Sequence, residues 1–236
     1  MLSSDNKIKK YFKNAGIGLL CILLYFIIPS FELEYLRICG IDYNTIPIGL
    51  KVLYLITWEI ITMCVLVFIL NKKITKDFND IRKNHKEYFK KYFKFWLISV
   101  GIMLISNLFI NLMNNGIAGN EESLRETFKI SPFYIYFSSV IYAPLVEELI
   151  FRQSIRNIVP NKIAFIILSG LIFGGLHILS GYSGPMDLLY LIPYSAPGIA
   201  FAYILADSDN IFISVCLHLM HNGILIALQF LLLIFS

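Results

Sequence analysis

The sequence predicts an all-α protein, a polytopic transmembrane helical bundle of about seven spans (six to eight). Three observations carry this. Of 236 residues, 57% are hydrophobic and only 15% are charged, against about 25% charged in an ordinary soluble domain. The apolar residues gather into runs near the length of about 20 that crosses a bilayer as a helix. The Lys and Arg residues gather between alternate runs.

The runs fall at about 15–30, 46–70, 95–113, 132–153, 163–180, 188–206 and 211–235. Lys7, Lys9, Lys10 and Lys13 precede the first, as in a signal peptide. However, Tyr25 to Pro29 continues the run with no small-residue cleavage site, so it reads as an uncleaved span. Alternation across a membrane puts 1–14, 71–94, 154–162 and 207–210 on one side. With Arg152 counted in the third, these segments hold 16 of the 20 Lys and Arg; the others are Arg37, Lys51, Arg125 and Lys129. Positive charge favours the cytoplasm, which predicts an integral membrane protein with its N-terminus inside and its C-terminus outside. Its richness in Lys, Ile and Asn points to a bacterial cell membrane.

The stretch 71–94 is the most basic. Phe78, Ile81, Tyr88, Phe89, Tyr92 and Phe93 interleave with its lysines, the pattern of an amphipathic helix on an anionic leaflet. Its place between two spans explains the charge without a nucleic-acid partner. His85 reads as a solvated loop residue. Residues 114–131 suggest a short surface helix. Cys21, Cys39, Cys64 and Cys216 lack paired spacing, which argues against disulfides or a zinc ribbon. Two regions result: N-terminal transmembrane helices with a basic loop over 1–129, and a helical core over 130–236 that holds the candidate chemistry.

That chemistry starts at Glu147 and Glu148, adjacent carboxylates after a run without charge from Phe133 to Val146. A charge inside a bilayer costs at least about 2.5 kcal/mol, so such an acid is a functional-site hypothesis. On a helix Glu148 and Arg152 share a face, while Glu147 is turned about 100° away and points elsewhere. In the fifth run Phe173 and His177 share a face, and Gly170, Gly174 and Gly175 permit close helix approach. In the seventh, His218 and Asn222 share a face that His221 borders. Each His alone reads equally well as a structural residue. Together the set is too costly to bury without purpose.

Gly181-Tyr182-Ser183-Gly184 has the pattern of a rhomboid serine-protease motif, but it stands before Pro185 in a segment composed like a turn. No His-Glu-x-x-His occurs. Glu147, His177 and His218 leave room for a divalent metal such as Zn2+, since one carboxylate and two imidazoles suffice for a catalytic site. A proton-coupled transporter is a third class, for which no paired half-repeat is found.

The ordered set Glu147-Glu148-x-x-x-Arg152, Phe173-x-x-x-His177 and His218-x-x-x-Asn222 resembles the CAAX protease and bacteriocin-processing family, also called the Abi family, over about 130–225. The resemblance implies an all-helical intramembrane endopeptidase. Its substrate would be a membrane-associated peptide or protein, such as a bacteriocin or signalling-peptide precursor. A non-catalytic membrane regulator or a bacteriocin self-immunity protein is the alternative. The residues suggest a mechanism beside it. Glu147 is the general base, and His177 holds the same water. His218 and Asn222 donate to the oxyanion. Glu148 and Arg152 orient Glu147, and Phe173 walls out water. One expectation conflicts with this: the run limits put Glu147 and His218 about 10 Å from the cytoplasmic edge but His177 about 21 Å from it.

Overall fold

The computed structural model describes residues 4–114 and 119–235, and every regular element among them is helical. Helix α1 spans Ser4–Ile38, and a 3-10 turn at Tyr43–Thr45 capped by Asp42 follows. Helix α2 (Ile48–Ile69) starts after Pro47 and is separated from α3 (Asn71–Asn114) by Leu70 alone. Helix α4 is Gly119–Ile130. Helix α5 runs Pro132–Ile158, with the Ser131 hydroxyl accepting from the Tyr134 N–H. Helix α6 is Lys162–Leu179, capped by Asn161, whose side chain accepts from the Ala164 N–H. A 3-10 segment, Pro185–Tyr190, leads into α7 (Leu191–Ser208), and α8 (Ile211–Phe235) ends the chain. All but α4 are long and apolar enough to cross a membrane, as a seven-span bundle requires.

Helix α5 is built from two π-helical turns, Tyr136–Tyr142 and Glu148–Ser154, on either side of Ala143–Glu147. Such turns often occur at functional sites. The first has a cause in the sequence. Pro144 has no N–H to donate, and in the i→i+5 register that joins the Ala143 N–H to the Ser138 carbonyl, the next carbonyl, Ser139, would look to Pro144. Instead, Asn222 of α8 donates its side-chain amide to the Ser139 carbonyl at 2.8 Å. An orphaned backbone acceptor is thereby satisfied from a neighbouring helix.

The basic segments meet at one end of the bundle. Tyr11 donates to the Ile158 carbonyl at 2.9 Å. Lys91 and Lys162 pair with Asp207, and Lys73 and Lys76 pair with Asp209. Asp209 is the C-cap of α7 with φ 50°, a left-handed conformation that Asp tolerates. Burial alone would raise its carboxyl pKa, but Lys73 and Lys76 outweigh that and hold it below the ordinary aspartate value.

Three expectations change. The stretch 71–94 is helical, but it is continuous with the third span and does more than cover a surface. Its Asp77 is 1% exposed and accepts from the Ile211 N–H at 2.9 Å, and Asp80 accepts from Asn210. It therefore caps the start of α8. The fourth span runs on to Ile158, which puts Glu147 about 16 Å from its basic end. His177, 15 residues into α6, lies about 22 Å from Lys162, so the predicted depth gap shrinks by about half. His218 is still only seven residues into α8, but Ile211 begins beneath α3 rather than at the surface (1% exposed).

Candidate active site

Three helices supply the polar centre. Helix α6 packs against α7 through glycine. A Cβ at Gly174 would come within 2.9 Å of the Ser195 nitrogen, and one at Gly170 within 2.9 Å of the Ile199 nitrogen. Gly175 faces open space and takes no part in this contact. The close approach brings Phe173 into the core (4% exposed) with Phe201 of α7.

The two glutamates do not face separate surroundings, as their spacing suggested. His218 stands between them. Its Nδ1 is 2.9 Å from Glu148 Oε1, and its Nε2 is 3.6 Å from Glu147 Oε2. An imidazole presents nitrogens on two edges, so one ring inserted from α8 can meet adjacent carboxylates on α5. A carboxylate at Nδ1 makes that nitrogen the N–H donor and leaves Nε2 to face Glu147. The 3.6 Å separation is too long for a direct hydrogen bond. Phe201 stacks on the His218 ring at 4.9 Å between centroids, which limits its rotation.

Glu148 and Arg152 are both fully enclosed, and Arg152 Nε lies 3.4 Å from Glu148 Oε1. The guanidinium lies over Phe173, 4.2 Å from the ring centre, and reaches the Gly198 carbonyl at 3.4 Å. The side chain of Glu147 is 16% exposed. The carboxylate with an open side is thus Glu147, while Glu148 is held by Arg152 and His218.

Phe173 connects the histidines, its ring 4.4 Å from His177 and 5.9 Å from His218. His177 Nδ1 lies 2.9 Å from the Phe173 carbonyl. A carbonyl only accepts, so Nδ1 carries the proton and Nε2 is free to accept. Tyr194 packs on the other face of this environment at 5.1 Å.

The site residues foreseen from the sequence therefore divide. Glu147, Glu148, Arg152, Phe173 and His218 form one contact network, and His177 joins it through Phe173. Asn222 spends its amide on the Ser139 carbonyl. This separates it from His218 in use, though both sit on α8. His221 is buried beside Trp96 and Phe201. Among the described residues, no three His, Cys, Asp or Glu side chains are grouped as a metal ion requires. The expected set of Glu147, His177 and His218 is not assembled, since the His177 ring lies against Phe173 and Tyr194, so the residues as placed do not fit a three-ligand centre. Ser183 lies in a turn, its N–H and hydroxyl both donating to Asp187. Tyr194, Phe201 and Gly198 were missed, because aromatic residues and glycine in an apolar run give no signal beyond packing.

Residues 129–224 match the family model for type II CAAX prenyl endopeptidase Rce1-like proteins. Over that segment the resemblance drawn from the three motifs holds. The Bacillus subtilis protein named "Putative membrane peptidase YdiL" is 29% identical over 151 residues, covering 56% of this chain and 58% of that protein. The "UPF0177 protein YvdC" of Lactococcus lactis is 26% identical over 149 residues, 58% of this chain and 55% of its own. A Mycoplasma capricolum protein named only as uncharacterized is 37% identical over 107 residues, 42% of this chain and 30% of its own. The chain spans about half the length of the first two named and less of the third. No solved structure matches the chain. The seven apolar helices and these relatives together make it an integral membrane protein.

Proposed function

We propose that this protein is a CAAX-protease-like membrane peptidase that hydrolyses a peptide bond in a membrane-associated peptide or protein. A bacteriocin or signalling-peptide precursor is the substrate class in view. The observation that carries the reading is His218 clamped between Glu148 and the more open Glu147. The family match over 129–224 supports the same reading.

Glu147 is the general base. Water between its carboxylate and His218 Nε2 gives up a proton to Glu147 as its oxygen attacks the carbonyl carbon, and Glu147 then passes that proton to the amide nitrogen as the C–N bond breaks and the amine leaves. Glu148, neutralised by Arg152, fixes the His218 tautomer and orientation, as a carboxylate does for an imidazole in other hydrolytic sites. The free Nε2 of His177 accepts from the substrate amide. Phe173 and Phe201 keep bulk water from the ion pair, where charge interactions are stronger than in solvent. As placed, the residues require no step through a metal. A bound Zn2+ would supply Lewis acidity, and a chelator tests for it directly.

The test is cleavage of quenched-fluorescence peptides, free and lipid-anchored, by protein reconstituted in nanodiscs with and without chelator. Wild type cleaves at least one class, and Glu147→Gln lowers the rate by about 10²–10⁴-fold, the usual contribution of a general base. Equal rates for the two would overturn the assignment. For orientation, the clustering of basic segments at one end supports a cytoplasmic N-terminus. A reporter at residue 85 then reads cytoplasmic and one after Ser236 external; the reverse pattern would invert the bundle.

A further inference from the structure

A second acid lies within the spans, outside this site. Glu59 is half-buried in α2. Its Oε1 accepts from the Ser138 hydroxyl at 2.6 Å and from the Tyr134 hydroxyl at 3.2 Å, both on α5. Its Oε2 is buried and has no partner. An acid in a bilayer interior is costly unless it is paired or meets water, and half of this one is left over after its protein contacts.

Its neighbours form a sequence in space. Descending α2 and α5 from the end opposite the basic segments, Glu59 with Ser138 is followed by Thr62 beside Tyr142. Tyr142 lies within electrostatic reach of both Glu59 and Glu147. Tyr25 of α1 closes the row, within reach of Tyr142 and Glu147. Polar groups therefore continue between α1, α2 and α5 from Glu59 to Glu147. Ion-pair and capping needs do not account for this. Ser138 could stay satisfied by its own helix, as Thr62 is by the Trp58 carbonyl.

We propose that this row is a hydrated path that delivers water to Glu147 from the membrane face opposite the basic segments. The inference rests on the peptidase reading for its use, because hydrolysis consumes one water per bond in a site walled by Phe173 and Phe201. The existence of the path does not rest on that reading. Glu59 draws water into the bilayer with its unpaired oxygen, and the hydroxyls of Ser138 and Tyr142 pass it along. The competing explanation is a dry polar clasp that only ties α2 to α5.

The test is cysteine accessibility in the full chain, with the four native cysteines replaced by serine or alanine. Ser138→Cys and Thr62→Cys sit on the path. Leu53→Cys and Ile60→Cys, at residues 61% and 42% exposed on α2, report the lipid face. A small hydrophilic methanethiosulfonate is added to sealed vesicles from one side or the other. Thiolate, the reactive form, needs water, so the path cysteines label about tenfold faster than the lipid-face pair, and only from the side away from the basic segments. Glu59→Leu in the Ser138→Cys protein removes that advantage, and Glu59→Gln keeps part of it. Labelling no faster than at Leu53→Cys, or faster only from the basic side, overturns the proposal even if cleavage is intact. Fast labelling in a protein that cleaves nothing leaves the path standing and sinks the peptidase reading instead.

Discussion

The first three spans and the last four solve the problem of living in a bilayer in different ways. In the most apolar windows of α1, α2 and α3, 11–18% of residues are buried within the protein; in α5 to α8 the share is 33–50%. Apolar side chains of the early helices such as Phe31, Leu53, Phe68 and Leu108 lie exposed to the surroundings. Lipid is as apolar as leucine, so such helices need no core of their own. The later helices are organised around groups that lipid cannot tolerate: Glu148, Arg152, His218 and the carbonyl that Pro144 orphans. What holds them is polar pairing and close backbone approach. The boundary between the two regions should therefore appear as a difference in sensitivity to substitution, larger wherever a polar group or a glycine is at stake.

The largest effect falls at the ion pair. Arg152→Ala strands a fully enclosed Glu148, a loss of about 3–5 kcal/mol, so the yield of folded protein collapses along with activity. Replacing both residues, Glu148→Leu with Arg152→Met, recovers much of the yield but no cleavage. A double variant as poorly folded as Arg152→Ala would mean the pair contributes more than charge cancellation. Next comes Glu148→Gln. Glu148 pairs with Arg152 and also orients His218. An amide there disturbs a carboxylate–imidazole pair, and the equivalent change in a hydrolytic triad costs about 10⁴-fold in kcat. Yield should fall as well, because enclosed Arg152 loses its counter-charge, and an unchanged kcat per folded molecule would show that His218 does not depend on Glu148.

A third test concerns Asn222 and separates helix repair from chemistry. Asn222→Ala leaves the Ser139 carbonyl buried and unpaired, a cost of about 1–3 kcal/mol. Pro144→Ala restores a backbone N–H that can take that carbonyl. In the Pro144→Ala background, Asn222→Ala should then cost less by most of that amount, read as thermal midpoints in detergent. Additive losses would return Asn222 to the substrate, where the motif alone places it.

The sequence showed the number of spans, the clustering of basic segments and the three motif helices, because each is written in composition or in a spacing of four. It did not show how the two glutamates are used. The 100° argument holds for a regular helix, but α5 departs from one at both π turns, and one ring from α8 serves both acids. The limits of the fourth span were also hidden. Arg152, Gln153 and Arg156 look like the end of an apolar run, yet Arg152 is wholly enclosed and Gln153 nearly so, because their partners arrive from α7 and within α5 itself. Glu59 belongs to no motif that the sequence offers. Only the contact with Ser138 and Tyr134 shows that it faces inward.

The smallest effects locate the boundary most finely, because they come from glycines with no chemistry at all. At Gly101 in α3 and Gly16 in α1 a Cβ would meet nothing within 4 Å. Alanine there improves helix propensity by up to about 1 kcal/mol, so each variant should match or slightly exceed wild type in thermal midpoint. At Gly174, where the Ser195 backbone lies 2.9 Å from the new carbon, alanine forces α6 and α7 apart, a cost of about 1–3 kcal/mol. Gly18 is the informative case. It belongs to the lipid-exposed region by sequence, one turn from the Lys-rich N-terminus, but its Cβ would come 2.5 Å from the Ser154 carbonyl and 3.2 Å from Asn157 and Ile158. Helix α1 therefore docks on the end of α5 at that point, and Gly18→Ala should behave like Gly174→Ala rather than like Gly16→Ala two residues away. If Gly16→Ala and Gly18→Ala are equally harmless, α1 does not press on α5, and the early helices are separable from the site. If Gly18→Ala also slows cleavage, the docking of α1 helps hold the helix that carries Glu147.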